Sequence, residues 1–480
     1  MQVSDEIERL IAQKAFAAGT KLPSSRDLAG DLRVNRNTIV AAYQRLLKRG
    51  VLTSGVGQGT FVAEAQVAPP PARARRFAWS EALRAQVRRV QAQLGDHAPP
   101  ATDSIDFSRA IPDPDLYPVR ALQDVLARLS ASSLRQAFDY APAAGFEPLR
   151  EALVERARRR EPAAPPRQVI IVNGSQQGLQ LAFSLLLDAG NRVGVDAPTF
   201  PGALDLIRLA GATPVAYRNA TAAFDDAELD EQLASGSLQL LYAIPTFHNP
   251  TGFTWDRPAR HKFARAVARH QVPVIEDDWL GELRTAQEPP PLWTFDETGH
   301  VVTVATFSKV VVPGLRVGWM LVPPESFEAF AQIKRRFDLC TNLLGQMMLF
   351  ELMRSGELDP HLDRVRRAYQ RRRDALRAAI SRHFPSALPA SVPDGGITAW
   401  VELDPSQSAF EVMARARSRG VILSPGHWFA ADGAQAAGFR ICYATVKEPE
   451  IERGIEILGT ILKDTLRTEQ RPVRVTEPLV

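Results

Sequence analysis

Apolar residues in the middle of this chain form short runs that alternate with helical patterns. Residues 169–172 are apolar throughout, which predicts a buried strand, and residues 240–244 and 272–275 show similar runs. After the first run, apolar residues recur at the spacing of a helix at Leu179, Leu181, Phe183, Leu185 and Leu186. The pattern therefore predicts buried strands, the first of which leads directly into a helix.

The first 62 residues have a different pattern, typical of short helices followed by a hairpin. Ser24 with Asp27 three residues later is a helix-start signature. A turn at residues 33–34 leads to a second helix with apolar positions at Ile39, Tyr43, Leu46 and Leu47. Two short apolar strands then flank a glycine-rich turn at residues 55–60. This order predicts a winged helix-turn-helix, which reads the DNA major groove; the alternative is a small helical appendage without a ligand.

The distribution of charge supports a polyanionic partner for the N-terminal end. Residues 1–95 contain fifteen Lys and Arg against seven Asp and Glu, a net charge of +8, so the remainder carries −4 within the overall +4. Part of this excess (Arg73, Arg75 and Arg76) lies in a Pro/Arg-rich segment. We interpret that segment as a semi-stiff tether, either solvated or in contact with phosphate backbone.

Length and composition limit the class of protein. The 480 residues, 45% of them hydrophobic, are enough for two or three folding units with a large core. The sequence has no run of eighteen apolar residues and no charged-then-apolar leader, so we expect a soluble, cytoplasmic protein without a membrane partner. Cys340 and Cys442 are the only cysteines, which argues against a disulfide framework or a metal site.

A lysine on a turn flanked by hydroxyl residues is the first indication of chemistry. The turn is Thr306-Phe307-Ser308-Lys309, and Arg316 follows seven residues later. A lysine amine can hold the carbonyl of pyridoxal 5'-phosphate (PLP) as an imine, while hydroxyls and a guanidinium hold its phosphate. Because lysines after serine are often ordinary surface residues, this motif alone is weak.

Three strand ends upstream of Lys309 supply further groups of the kind that a PLP site needs. Free amides at the helix start in Asn173-Gly174-Ser175-Gln176 can hold a phosphate, although the turn can also be an ordinary connection. Asn249, in a common Asn-Pro-Thr-Gly turn, can donate to the phenolate oxygen. Asp277 can pair with the ring nitrogen and keep it protonated, whereas acids at a strand end can equally cap helices or bind metals.

Two further residues complete the set. Phe200 can stack on the cofactor ring, although most single aromatics are core residues. Arg440, in the predicted strand around residues 438–443, can hold a carboxylate with its two-pronged guanidinium. An arginine between apolar neighbours more often extends outward to solvent. Each feature is ambiguous alone, and their order along the chain is what favours a PLP site.

Residues 105–465 resemble the class I (fold type I) aminotransferases on these motifs. The resemblance implies an α/β fold with a large mixed-sheet subdomain and a smaller C-terminal α+β subdomain. It implies Lys309 as the Schiff-base lysine and Arg440 as the ligand of an amino-acid carboxylate. The cofactor-binding residues that it implies are Gly174, Ser175, Gln176, Phe200, Asn249, Asp277, Trp279, Thr306, Ser308, Arg316 and, across a homodimer, Tyr140.

The chain departs from that family at two positions. Trp279 stands where the family usually has a tyrosine whose hydroxyl tunes the phenolate oxygen, and an indole N–H can donate but cannot accept. Phe200 replaces the commoner tyrosine on the ring. We expect the cofactor to bind and catalytic turnover to be impaired.

Residues 1–64 resemble the GntR-family winged helix. The motifs that carry the resemblance are Pro23-Ser24-Ser25-Arg26, Asn35-Arg36-Asn37-Thr38 and Gly57-Gln58-Gly59-Thr60. By this resemblance the residues that face DNA are Ser25, Arg26, Asn35, Arg36, Asn37 and Thr38, with Gly59 at the wing tip. Asn35 stands where the family commonly has serine, and either residue can cap a helix.

The whole architecture resembles the MocR subfamily of GntR regulators. It consists of a winged helix (residues 1–64), a basic linker (residues 65–104), an aminotransferase-like domain (residues 105–465) and a flexible tail (residues 466–480). The resemblance implies a PLP-dependent regulator in which an amine, an amino acid or PLP controls binding to a DNA operator. An active aminotransferase with an accessory DNA-binding head is the alternative, and an empty dimerisation scaffold is disfavoured.

Overall fold

The structure is a computed structural model that describes residues 2–13, 15–55, 59–64, 103–220, 226–386, 388–404, 407–431 and 437–469. The chain separates into two compact units, Met1–Ala82 and Leu83–Val480. Most of the predicted linker lies outside the described residues.

The N-terminal unit is a small helical core closed by a hairpin. Its helices are α1 (Gln2–Ala12), α2 (Ser25–Asp31) and α3 (Arg36–Lys48), and its strands are β1 (Leu52–Gly55) and β2 (Gly59–Val62). Strands β1 and β2 pair antiparallel with Leu52 opposite Val62. Ser24 caps α2 by accepting from the backbone N–H of Asp27, as the sequence predicts. The helices and hairpin follow the predicted order of a winged helix-turn-helix.

A seven-stranded mixed sheet forms the centre of the second unit. Its strands, in chain order, are β4 (Gln168–Val172), β5 (Arg192–Ala197), β6 (Thr213–Asn219), β7 (Leu240–Ala243), β8 (Val274–Asp278), β9 (Val301–Thr306) and β10 (Gly318–Val322). The spatial order is β4-β10-β9-β8-β7-β5-β6. Strand β10 runs antiparallel to its two neighbours, while the pairs from β9 to β6 are parallel. The carboxyl ends of the parallel strands therefore meet at one edge, where ligands bind in open α/β sheets.

A smaller four-stranded sheet forms the C-terminal part. Its strands are β11 (Ala390–Ser391), β12 (Thr398–Glu402), β14 (Ser424–Pro425) and β15 (Gly438–Cys442), in the order β11-β12-β15-β14. A separate parallel pair joins β3 (Ile105–Asp106) to β13 (Val421–Ile422). The predicted α/β fold, with its mixed sheet and second α+β part, is confirmed.

Helices cover the sheets of this unit. They are α4 (Val119–Arg128), α5 (Ala131–Ala137), α6 (Glu147–Arg160), α7 (Ser175–Leu186), α8 (Pro201–Leu209), α9 (Asp226–Ala234), α10 (Arg257–His270), α11 (Phe327–Asp338), α12 (Leu343–Arg354), α13 (Leu358–His383), α14 (Ala409–Ser418) and α15 (Glu448–Glu469). None of the helices in the described part of the chain combines the length and the apolar character needed to cross a bilayer.

Two details differ from the sequence-based expectations. The acids after residue 275 do not follow the strand but belong to it, because the backbones of Asp277 and Asp278 pair with Val304 and Ala305 of β9. Helix α15 continues to Glu469, so the first four residues of the predicted flexible tail are helical.

Candidate cofactor site and nucleic-acid interface

Asp277 lies on β8 with one of its carboxylate oxygens unpaired. Its side chain is buried, and the Tyr242 hydroxyl from β7 donates to Oδ2 at 2.8 Å. Oδ1 has no hydrogen-bond partner among the described residues. Burial raises the pKa of Asp277 to about 7. A buried carboxylate with one free oxygen is suited to a charged N–H donor such as a pyridinium nitrogen.

Its neighbour on β8, Glu276, has a structural role instead. The Glu276 carboxylate accepts from the backbone N–H groups of Leu292 and Trp293, at 2.5 and 3.2 Å, and from the Thr303 hydroxyl at 2.8 Å. Successive side chains of a strand point to opposite faces of the sheet. The alternation therefore separates Asp277 from the acids on either side of it, which supports choosing Asp277 from the acidic run.

Lys309 follows β9 within a largely buried turn. Desolvation lowers its pKa; among the neighbouring groups, Cys442 and Asp277 act to raise the pKa, whereas Arg440 and Arg316 act to lower it. A lowered pKa increases the fraction of neutral amine near neutral pH, and the neutral amine is the form that attacks a carbonyl carbon. The structure thus brings the predicted lysine into electrostatic range of Asp277, Arg316 and Arg440.

Four residues form what we call the phosphate cup: Gly174, Ser175, Ser308 and Arg316. Gly174 adopts a φ of +77° just before α7, and a Cβ there would lie 2.8 Å from a guanidinium nitrogen of Arg316. The Thr306 hydroxyl donates to Ser308 Oγ at 3.0 Å and accepts from the Ser308 backbone N–H at 3.1 Å. A helix start, a hydroxyl and a guanidinium together provide the donors that a phosphate requires.

Phe200 and Gln176 meet at Gly202. A Cβ on Gly202 would lie 2.6 Å from the Phe200 ring and 2.9 Å from Gln176 Oε1. The Gln176 amide donates to the Gly202 carbonyl at 3.3 Å. A larger residue at position 202 would therefore require the Phe200 ring or the Gln176 amide to shift. Phe200 is half-buried, so part of its ring remains accessible.

Arg440 is buried and hydrogen-bonded rather than extended to solvent. Its guanidinium donates to Asn249 Oδ1 at 2.8 Å, to the Ser108 carbonyl at 2.7 Å and to Ser424 Oγ at 3.0 Å. It also stacks on the Phe429 ring, 5.2 Å from its centroid. Because Asn249 Oδ1 accepts from Arg440, the Nδ2 group remains as the donor available to a phenolate oxygen.

Trp279 uses its only donor within the chain. The indole N–H donates to the Phe247 carbonyl at 2.9 Å, and the side chain is buried. From the sequence, this N–H could replace the missing tyrosine hydroxyl as a donor to the phenolate oxygen. In the structure the N–H is already used in the hydrogen bond to Phe247. Any contact of Trp279 with a cofactor would therefore be made by the face or edge of the ring.

Tyr140 lies outside the pocket of its own chain. It is 78% exposed, and Phe138 beside it is 76% exposed. Exposed apolar residues mark an interface where they form a contiguous patch. The predicted contact of Tyr140 with the phosphate across a dimer stays a prediction.

The predicted DNA-reading residues other than Gly59 lie at the starts of α2 and α3. Asn35 caps the helix by accepting from the Asn37 backbone N–H at 2.8 Å. Arg26, Asn35, Arg36, Asn37 and Thr38 are exposed, while Ser25 is half-buried. The opposite face of α3 packs through Ile39, Tyr43 and Leu46, and the Tyr43 hydroxyl donates to the Pro23 carbonyl at 2.8 Å.

Gly59 begins the second strand of the wing with a φ of +112°, and a Cβ there would lie 2.8 Å from Lys21 Cε. The wing residues 56–58 lie outside the described part of the chain. The left-handed backbone and the close lysine explain why glycine occupies position 59.

Sequence reasoning missed several residues of the site. Tyr242 lies inside a predicted buried strand and belongs to no motif, although a buried tyrosine hydroxyl needs a partner and therefore indicates a polar neighbour. Ser424 and Phe429, which hold Arg440, come from segments without a motif. These residues reach the site because segments that are distant in the sequence pack together, and a single sequence does not show such packing.

Both parts of the chain match known protein families. Residues 108–458 match the family described as "Aminotransferase class I and II", and residues 1–62 match "Bacterial regulatory proteins, gntR family". The chain belongs to the class I and II aminotransferase family. Members of this family bind PLP. The class I and II domain is joined here to a GntR-type helix-turn-helix, an arrangement consistent with the MocR-type GntR subfamily.

Similar proteins include both regulators and enzymes. The uncharacterized HTH-type transcriptional regulator YdfD of Bacillus subtilis is 28% identical, with 96% of each chain covered. The probable rhizopine catabolism regulatory protein MocR of Rhizobium meliloti is 29% identical over 88% of this chain and 85% of its own. The solved structure of LysN, an alpha-aminoadipate aminotransferase from Thermus thermophilus, is 31% identical with a TM-score of 0.73, covering 82% of this chain and all of LysN.

We expect the substitution Asp277→Asn to reduce the pH dependence of stability in the cofactor-free protein. Burial raises the pKa of Asp277 from 3.8 to about 7, so the folded protein holds this proton more tightly than the unfolded chain does. The contribution to stability is fully present below pH 3.8 and is lost as the pH rises toward about 7. Asparagine does not titrate, so the variant should lose less stability across this window.

Denaturant unfolding at several pH values would measure the difference between the variant and the parent. Asp374→Asn, at a largely exposed acid on α13, is the matched control. Parallel stability profiles for Asp277→Asn and the parent protein would contradict the assignment of a raised pKa to Asp277.

Proposed function

We propose that this protein is a PLP-dependent transcription regulator whose aminotransferase-like domain senses an amine, an amino acid or PLP and controls operator binding by the winged helix. The observation that carries the proposal is one chain with both an exposed helix start of DNA-reading type and a buried lysine, aspartate and arginine set. We further propose that it acts as a cytoplasmic homodimer on double-stranded DNA.

The residues present fit PLP. Asp277 Oδ1 lacks a partner and suits the ring N–H, while Asn249 retains an amide donor for the phenolate oxygen. The phosphate cup supplies a helix start, a hydroxyl and a guanidinium. When bound, PLP supplies an electron-accepting ring and an aldehyde carbon that joins to an amine. Lys309 is the amine that we assign to that bond.

Arg440 is the group that we assign to the carboxylate of an amino-acid effector. It is planar, buried and already held in place by Asn249, Ser108 and Ser424. If PLP is held by Lys309, an effector amine would compete with the lysine for the cofactor, and a displaced lysine amine would remain in a largely desolvated site. The effector can regulate DNA binding only if it favours one of two arrangements of the protein.

An active aminotransferase is the second candidate function, and the likeness to LysN over the whole of that enzyme favours it. The groups for binding an amino acid and moving its α-proton are present in Lys309, Asp277 and Arg440. The commitment of the Trp279 N–H to Phe247 weighs against efficient turnover, because the phenolate oxygen then lacks a second donor from this position.

The first experiment tests the covalent link to the cofactor. The protein incubated with PLP should be yellow, and borohydride should bleach it and fix the label on Lys309, as peptide mass spectrometry would show. Lys309→Ala should lose the borohydride-fixed label, whereas Lys262→Ala, at an exposed lysine of α10, should retain it. A protein that takes up no PLP would contradict the proposal.

The second experiment tests the DNA-binding surface. Arg36 opens α3 and is exposed, so Arg36→Ala should weaken operator binding by about 1–3 kcal/mol and reduce discrimination between bases. Arg9→Ala is the control, because Arg9 pairs with Glu6 on α1. Competition of operator with scrambled DNA measures both effects. Unchanged operator affinity for Arg36→Ala would overturn the assigned reading surface.

The third experiment separates regulator from enzyme. We expect slow or absent turnover with common amino-acid and keto-acid pairs, together with a change in DNA affinity when an amine or PLP is added. Steady turnover of about 1 to 1000 per second, in the ordinary enzyme range, with DNA binding insensitive to every ligand would favour the aminotransferase. Both measurements use the same full-length preparation.

A further inference from the structure

The Asp338 carboxylate, close to the phosphate cup, forms hydrogen bonds with three parts of the chain. Asp338 is the last residue of α11, and its Oδ2 accepts from the Asn173 amide at 2.9 Å and from the Gln177 amide at 2.8 Å. Lys334, one turn earlier on α11, donates to Oδ1 at 2.9 Å and to Oδ2 at 3.2 Å. The carboxylate therefore accepts from the end of β4, the first turn of α7 and α11 itself.

These contacts continue directly into the cup. Arg316 donates to the Asn173 carbonyl at 2.7 Å, and the Asn173 backbone N–H donates to Gln177 Oε1 at 2.7 Å. Asn173 is thus held at its side chain by Asp338, at its N–H by Gln177 and at its carbonyl by Arg316. The next residue, Gly174, is the one whose Cβ would lie 2.8 Å from the Arg316 guanidinium.

The ion pair between Lys334 and Asp338 is more buried than its spacing in the sequence would suggest. Lys334 is fully buried and the Asp338 side chain is 16% exposed, although their spacing of four residues is typical of a surface pair. A carboxylate at the C-terminal end of a helix also faces the negative end of the helix dipole. A neutral side chain would meet less repulsion there. The carboxylate does, however, provide an acceptor for both amides, and Lys334 balances its charge near a phosphate site.

We propose that Asp338 is a positioning residue for the cofactor phosphate. By holding Asn173 and Gln177, it fixes the carbonyl that orients Arg316 and the backbone turn that starts α7. The role that we assign to Asp338 is indirect and acts through Asn173 and Gln177. This inference rests on the proposed binding of PLP, and it predicts that Asp338 contributes to recognition of the phosphate group and not of the ring.

The test compares PLP with pyridoxal, which has the same ring and aldehyde but no phosphate. Dissociation constants for both are measured on the full-length protein from the visible band of the lysine-bound form. Asp338→Asn should weaken PLP binding about tenfold, the effect of one lost hydrogen bond to a charged group. Pyridoxal binding should stay unchanged, so the preference for PLP falls by the same factor. Glu328→Gln, at an exposed acid in the first turn of α11, should alter neither constant.

A second variant covers the case in which Asp338→Asn does not fold. Gln177→Met keeps the length of the side chain and removes its bonds to Asp338 and to the Asn173 N–H, so it should also lower the preference for PLP over pyridoxal. Thermal unfolding of each cofactor-free variant reports whether it is folded.

Each outcome decides the question. A selective loss of PLP affinity in folded Asp338→Asn supports the proposal, and Gln177→Met decides in its place if Asp338→Asn does not fold. In the deciding variant, equal losses for PLP and pyridoxal indicate a general loosening and overturn the proposal, as do unchanged constants. If the parent protein binds neither compound, the proposed PLP function fails and this inference fails with it. A parent protein that binds PLP while the variants keep its preference removes only the inference.

Discussion

The burial of the Asp277 carboxylate is the constraint on which the site depends. A buried charge is costly unless it is paired and hydrogen-bonded, and Tyr242 satisfies only one of the two oxygens. Burial, which the Tyr242 hydrogen bond opposes only in part, raises the pKa of Asp277 to about 7. A protonated ring nitrogen would supply both the missing hydrogen bond and the missing positive charge. Burial of this partly unpaired carboxylate is therefore unfavourable in the free protein, and a ligand with a positively charged N–H group would reduce that unfavourable free energy.

Much of the architecture could be predicted from the sequence because local patterns specify it. Ser24, Asp27 and the apolar face of α3 identify the helix-turn-helix, since capping and helical periodicity are local properties. The apolar run before Asp277 and the hydroxyl-flanked Lys309 identify the ends of two strands. These two strand ends lie side by side because the strands are parallel neighbours in the sheet. The order of the strands is implied by the resemblance to the aminotransferases and not by any single motif.

The parts that could not be predicted are those set by distant segments. The Trp279 N–H binds the carbonyl of Phe247, a residue with a φ of +51° that no local signal indicates. Arg440 resembles an arginine that extends to solvent, and only the approach of Ser108, Ser424 and Asn249 makes its burial possible. Lys334 and Asp338 have the spacing of an ordinary surface pair. Their position near the phosphate cup depends on the packing of α11 against α7, which the sequence does not show.

The position of Arg440 between the two sheets bears on which classes of ligand the proposed site would distinguish. It belongs to the four-stranded sheet, whereas Asn249 lies just beyond β7 of the seven-stranded sheet, so their hydrogen bond is a mechanical link between two layers. Under the proposed function, a ligand that carries a carboxylate would compete with Asn249 and Ser424 for the Arg440 guanidinium, and so would act on the hydrogen bond that joins the two sheets. An amine without a carboxylate would reach Lys309 and leave that hydrogen bond in place. The two classes of ligand would then differ in their effect on the contact between the sheets.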